Sequence, residues 1–155
     1  MAQRMIERAA LAALAVALAG THASAEVRDA VYRGTVVCDM LPFFETAARE
    51  AMEVTIAGSV AKYTLAVRLH DRVEASAESG SGTFDGRNIS LQGSWSGESD
   101  RYKSSYSGIF VRRSAKLAGT QIWTHDGKTF TRKCIGAIKR PLRAFLPREK
   151  KSANE

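Results

Sequence analysis

The chain has 155 residues, 45% of them hydrophobic and 25% charged, with a formal charge of +7. That length suits one domain with a sizeable core, and the composition is that of a packed globular protein. Intrinsic disorder, collagen-like repetition and a disulfide-dense miniprotein are excluded.

Residues 1–25 read as a signal peptide. Arg4 and Arg8 give a positive start, residues 9–19 form an apolar run of 11, and Ala23-Ser24-Ala25 has the small-x-small pattern of a cleavage site. The run is shorter than the roughly 20 residues a membrane-spanning helix needs. Export to the periplasm or out of the cell is expected. No cysteine follows Leu18-Ala19-Gly20-Thr21, so no lipid anchor is expected.

Residues 26–138 alternate polar and apolar side chains between frequent turn residues, which predicts an all-β domain. A first strand covers 30–38, with Tyr32, Gly34, Val36 and Cys38 on one face. The alternation then breaks. Leu41-Pro42-Phe43-Phe44 followed by Glu-Thr-Ala-Ala-Arg-Glu-Ala predicts a short helix within 39–50, with Pro42 near its start. Strands follow at 51–57 and 60–69 across Gly58-Ser59, then at 73–84 and 88–97 across Asp85-Gly86, a strong hairpin signal. Tyr102, Tyr106 and Phe110 share a face of a strand at 101–111, and a last hairpin joins 117–124 to 129–138. About eight short-linked strands predict an antiparallel up-and-down barrel, with a β-sandwich as the alternative.

Ile/Leu-x-Gly-Ser/Thr recurs at Ile56-Ala57-Gly58-Ser59, Leu91-Gln92-Gly93-Ser94 and Leu117-Ala118-Gly119-Thr120. Glycine inside a strand marks a bend, a bulge or a close approach by another segment. Cys38 and Cys134 allow one intrachain disulfide in an oxidising compartment. In a closed barrel that bond would clasp the first strand to the last.

Charge is sectored along the chain. Residues 26–131 carry 13 basic and 13 acidic side chains, whereas 132–155 carry 8 basic and 2 acidic. Residues 139–155 therefore read as a basic tail. Its cations Lys139, Arg140, Arg143, Arg148, Lys150 and Lys151, with Phe145 among them, suit an anionic membrane surface. Export argues against nucleic acid as the partner.

No catalytic constellation emerges, and no cofactor is expected. Ser59-Val60-Ala61-Lys62 has the Ser-x-x-Lys spacing of penicillin-recognising enzymes, but on a strand the two side chains point to opposite faces. His70 and His125 lie at strand ends without metal-ligand spacing. Glu74 and Glu78 read as a solvated acidic face. Tyr63, Trp95, Tyr102, Tyr106, Gln121 and Trp123 fall on inward-facing positions, where they would form either a packed core or the lining of a cavity for a small apolar or aromatic ligand.

Lys116-Leu117-Ala118-Gly119-Thr120-Gln121 resembles the Leu-x-Gly-Thr-Gln segment of avidin-type biotin-binding barrels, and Tyr106-Ser107-Gly108-Ile109-Phe110 is similar to their Gly-x-Tyr strands. The resemblance covers about a tenth of the chain and implies a small ligand-binding barrel. The opening biotin loop of that family has no counterpart, so biotin is not implied. An exported one-disulfide barrel also resembles calycin-like barrels, the periplasmic lysozyme-inhibitor barrels and uncharacterised secreted proteins of Gram-negative bacteria. The expected function is non-enzymatic binding of a small ligand or an envelope component. Inhibition of an envelope-attacking enzyme through an exposed Arg112-Arg113 loop is the alternative, and hydrolysis the third.

Overall fold

Side chains that alternate between an apolar interior and water turn most of this sequence into strands. The computed structural model describes residues 30–44, 46–69 and 72–141. The strands are β1 (Ala30–Cys38), β2 (Ala48–Ala57), β3 (Val60–Leu65), β4 (Arg68–Leu69), β5 (Arg72–Val73), β6 (Glu78–Phe84), β7 (Asn88–Ser96), β8 (Arg101–Val111), β9 (Ser114–His125) and β10 (Lys128–Lys139). Eight of them close into an antiparallel barrel in the order β1-β10-β9-β8-β7-β6-β3-β2, while β4 and β5 pair separately between β3 and β6. This is the up-and-down barrel expected, not the sandwich.

Two local expectations are corrected. No helix forms within the described part of 39–50. The Phe44 N–H closes a turn on the Leu41 carbonyl at 3.0 Å, and β2 already starts at Ala48, opposite Cys38. The helical propensity of this short run is overridden by pairing with β1. The strands expected at 60–69 and 73–84 are shorter, because β3 ends at Leu65 and β6 begins at Glu78. The excursion between them folds over the barrel end, where Val67 is buried.

Strand pairing staggers the inward residues into slanted rows. One runs Ile56, Ala61, Gly82, Leu91, Tyr106, Gly119, Cys134, Cys38. It ends in the disulfide, which joins Cα atoms 4.0 Å apart across the β1–β10 seam. Toward the end carrying the β2–β3, β6–β7 and β8–β9 turns, the interior is apolar: Tyr32, Ile56, Phe84, Phe110 and Ile138 are buried. Each fully buried Val, Leu or Ile there contributes roughly 1.5–3 kcal/mol relative to exposure. We call this the turn end. The opposite end, where the longer connections gather, holds the chemistry.

The outer wall is polar, with Lys103, Gln92 and Lys133 exposed and Arg33 paired to Glu53 at 2.7 Å. Among the described residues no helix is long and apolar enough to cross a membrane.

Candidate functional site

Above the disulfide row, the next inward row crosses six strands as Tyr63, Gly80, Gly93, Ser104, Gln121 and Arg132. The two glycines make room for one tyrosine. A Cβ on Gly80 would strike the Tyr63 ring, and one on Gly93 its hydroxyl. Gly119 similarly clears the ring of Tyr106. In-strand glycines at 93 and 119 thus mark close approach, one of the readings open from sequence.

Glu78 is the hub of this belt. Its side chain enters the interior from the first position of β6 and is fully buried. Tyr63 donates to Oε1 at 2.5 Å and Ser104 donates to the same oxygen. Tyr102 donates to Oε2 at 2.6 Å, with Gln121 Nε2 at 3.3 Å and the Tyr106 hydroxyl at 3.5 Å. The expectation that Glu78 belongs with Glu74 on a solvated face is therefore wrong. Period-two counting through Gly80, Gly82 and Phe84 turns it inward, while Glu74 precedes the strand. Burial first, then the Glu78 charge, raises the pKa of Tyr63, Tyr102 and Tyr106, so all three remain hydroxyl donors.

Gln121 carries the network outward. Its Nε2 donates to the Tyr106 hydroxyl at 2.9 Å, and its Oε1 accepts from Trp123 Nε1 at 3.0 Å and Arg132 Nε at 2.8 Å. The Arg132 guanidinium is buried and lies over Trp123, 5.0 Å from the ring centroid, and over Phe44 at 5.9 Å. Burial lowers its pKa from the ordinary arginine value. Its Nη1 has no hydrogen-bond partner, and neither has Oε1 of the buried Glu50. Burial raises the Glu50 pKa, opposed by the charges of Arg68 and Arg132. Each orphaned buried polar atom calls for a physical explanation, and a functional role is one of them.

An aromatic tier covers the belt. Trp95, Tyr102, Trp123 and Phe130 pair laterally across β7 to β10. Tyr102 and Trp123 stack at 4.4 Å, and Trp95 stacks on Tyr102 at 5.8 Å. The β1–β2 connection lays Phe44 against Trp123 at 5.3 Å and Phe43 against Phe130 at 5.0 Å. Phe43 also stacks on the ring of His125 at 4.2 Å. Beside this tier, Leu69, Val73, Glu74, Trp95, Asp100 and His125 line a cavity of about 940 Å³. A larger groove of about 1080 Å³ lies on the outer wall among Ser107, Ile109, Val111 and Lys116, away from the convergent polar groups. The end cavity meets the aromatic tier through Trp95 and carries Glu74, Asp100 and His125, while the Glu78–Gln121–Arg132 belt lies beneath the tier and does not line it.

All six residues proposed from sequence as core or cavity lining converge in this region. Tyr63, Trp95, Tyr102, Tyr106, Gln121 and Trp123 are each buried and touch one another or Glu78. Glu78, Ser104, Arg132 and Glu50 were missed. Arg132 was legible in principle, because it shares its strand face with Cys134 and Ile138. His125 bonds Asp100 through Nδ1 at 2.6 Å, and its Nε2 faces Asp126 at 3.5 Å rather than a serine hydroxyl. His70, residues 1–25 where a signal peptide is expected, and Arg143, Phe145, Arg148, Lys150 and Lys151 lie outside the described residues. Lys139 and Arg140 lie at the turn end.

Fold and site together define a disulfide-clasped antiparallel β-barrel with a polar belt beneath an aromatic tier. The chain matches no family model, no curated protein and no solved structure.

Proposed function

We propose that this is an exported binding protein of the cell envelope that takes a small ligand at the aromatic end of the barrel. The observation that carries the reading is the buried Arg132 guanidinium, stacked on Trp123 and Phe44 with Nη1 unpartnered. A ligand with a flat or apolar body would replace Phe43 and Phe44 against the aromatic tier. An oxygen acceptor on it would complete the arginine. Small-molecule sites have this composition, mostly aromatic lining with a few placed polar groups. The Cys38–Cys134 bond fits an oxidising compartment.

Both tryptophans of the chain, Trp95 and Trp123, stand at this end, so intrinsic fluorescence reports on it directly. Titration with a panel of aromatic carboxylates, their amides and matched hydrocarbons should show saturable emission changes, strongest for carboxylates. Arg132→Gln should weaken the best binder about tenfold or more, the scale of a charge-assisted hydrogen bond. Unchanged emission and unchanged melting temperature across the panel would refute the reading.

A further inference from the structure

Two basic segments distant in sequence meet at the turn end of the barrel. The Arg140 N–H donates to the Arg113 carbonyl at 2.9 Å, and Arg113 Nη2 donates to the Pro141 carbonyl at 3.4 Å. Lys139 is the ladder partner of Ser114. The β6–β7 turn brings Arg87 to the same end, since the Phe110 N–H donates to the Arg87 carbonyl at 2.7 Å. Arg87, Arg112, Arg113, Lys116 and Lys139 are exposed. In these turns and strand ends, Asp85 is the acid among the described residues, and its carboxylate is engaged by the N–H groups of Arg87 and Asn88.

Apolar side chains stand among these cations. Val111 is 68% exposed and Ile109 50% exposed, both on the outward face of β8 where it reaches the Arg112-Arg113 turn.

We infer that the turn end is a docking surface for an anionic lipid bilayer. Cations flanking aliphatic side chains match the headgroup boundary, where charge meets phosphate and the aliphatic groups reach the acyl region. Single-stranded nucleic acid is instead gripped by exposed rings that stack on bases, whereas the exposed apolar groups here are Val and Ile, which a duplex held through its phosphates would leave in water. A loop that plugs an enzyme's active site needs one protruding turn. Here two turns and the end of β10 spread their cations along the β6-to-β10 side of that end. The chain leaves the described residues at Pro141, at this same end, and the following sequence adds Arg143, Phe145, Arg148, Lys150 and Lys151. Docked this way, the barrel would turn its aromatic end away from the membrane.

The test is co-sedimentation of the full chain with vesicles of equimolar phosphatidylglycerol and phosphatidylcholine, against phosphatidylcholine alone as the baseline for its apolar leader. Arg112→Asn with Arg113→Gln removes two cations, and asparagine tolerates the positive φ of 57° at position 112. Near-UV circular dichroism verifies that each variant is folded. At about fivefold per cation, the double variant should lose on the order of 25-fold in partition to anionic vesicles. Lys103→Gln with Lys133→Gln removes the same charge from the outer wall and should cost much less. Val111→Ser should weaken vesicle binding severalfold without any change of charge. Equal losses in the two double variants, no preference for anionic over neutral vesicles, or binding to a DNA duplex as tight as to vesicles at the same salt would each overturn the inference.

Discussion

Glu78 shows what one side chain contributes when a barrel interior is partly polar. Tyr63 and Ser104 donate to one of its oxygens and Tyr102 to the other, so three hydroxyls on β3 and β8 are oriented by a carboxyl on β6. Glu78→Gln places an NH₂ group where one of those oxygens accepts, leaving at least one hydroxyl facing a donor. Such a mismatch costs about 1–3 kcal/mol, so the urea midpoint should fall while the circular dichroism spectrum keeps its strand signature. An unchanged midpoint would mean that water satisfies the hydroxyls. Residue identities at this scale were partly legible: Tyr63, Tyr102, Tyr106 and Gln121 follow from period-two counting. The same counting from Phe84 places Glu78 inward, but its residue type argued against that position, because acidic residues are rarely fully buried and only the hydroxyls assembled around it from distant strands make its burial tolerable.

At the scale of elements, the turns were the most legible features because their chemistry is local. Asp85-Gly86 does connect two strands, with Gly86 at φ 95°. The Asp85 carboxylate takes the backbone N–H of Arg87 at 2.9 Å, the backbone N–H of Asn88 at 2.6 Å and Asn88 Nδ2 at 2.8 Å. The Asn88 side-chain bond leads these causes, which lower the Asp85 pKa from 3.8 to about 2. A carboxyl held down in the folded state stabilises it at pH above the unfolded value and loses that contribution as pH falls toward the folded one. Asp85→Ala should therefore be less stable than the parent at pH 7, with the gap closing between pH 3.8 and about 2. Denaturation midpoints measured across that range check it, and a pH-independent gap would show that the side chain acts by geometry alone. The failures were the helix within 39–50 and the overlong strands flanking the 66–77 excursion. Local propensity misled there, because Ala48 is fixed by its pairing with Cys38 and Val67 by burial at the barrel end.

The whole molecule is a closed cylinder with chemically different ends, aromatic and polar-cored at one, cationic at the other. Closure brings the first and last strands together, so the cysteines, 96 residues apart in sequence, become ladder partners. A bond spanning a loop of that length restricts the unfolded chain and stabilises the fold by about 4–5 kcal/mol in the loop-entropy model. It is not what holds the seam shut. Hydrogen-bonded pairing from Arg33–Lys139 to Cys38–Cys134 and the interior packing remain when the bond is gone. Cys38→Ala with Cys134→Ala should therefore still give the near-UV spectrum of the packed aromatic tier at low temperature. Its unfolding free energy should drop by about 4 kcal/mol, a large part of the 5–15 kcal/mol typical of a domain. Because the effect lies in the unfolded state, the variant should also show a larger urea m-value, the mark of a more expanded denatured chain. A stability loss near zero would place the seam's strength in the β1–β10 ladder alone. Loss of the near-UV signal under native conditions would mean that the cylinder cannot close without its covalent clasp.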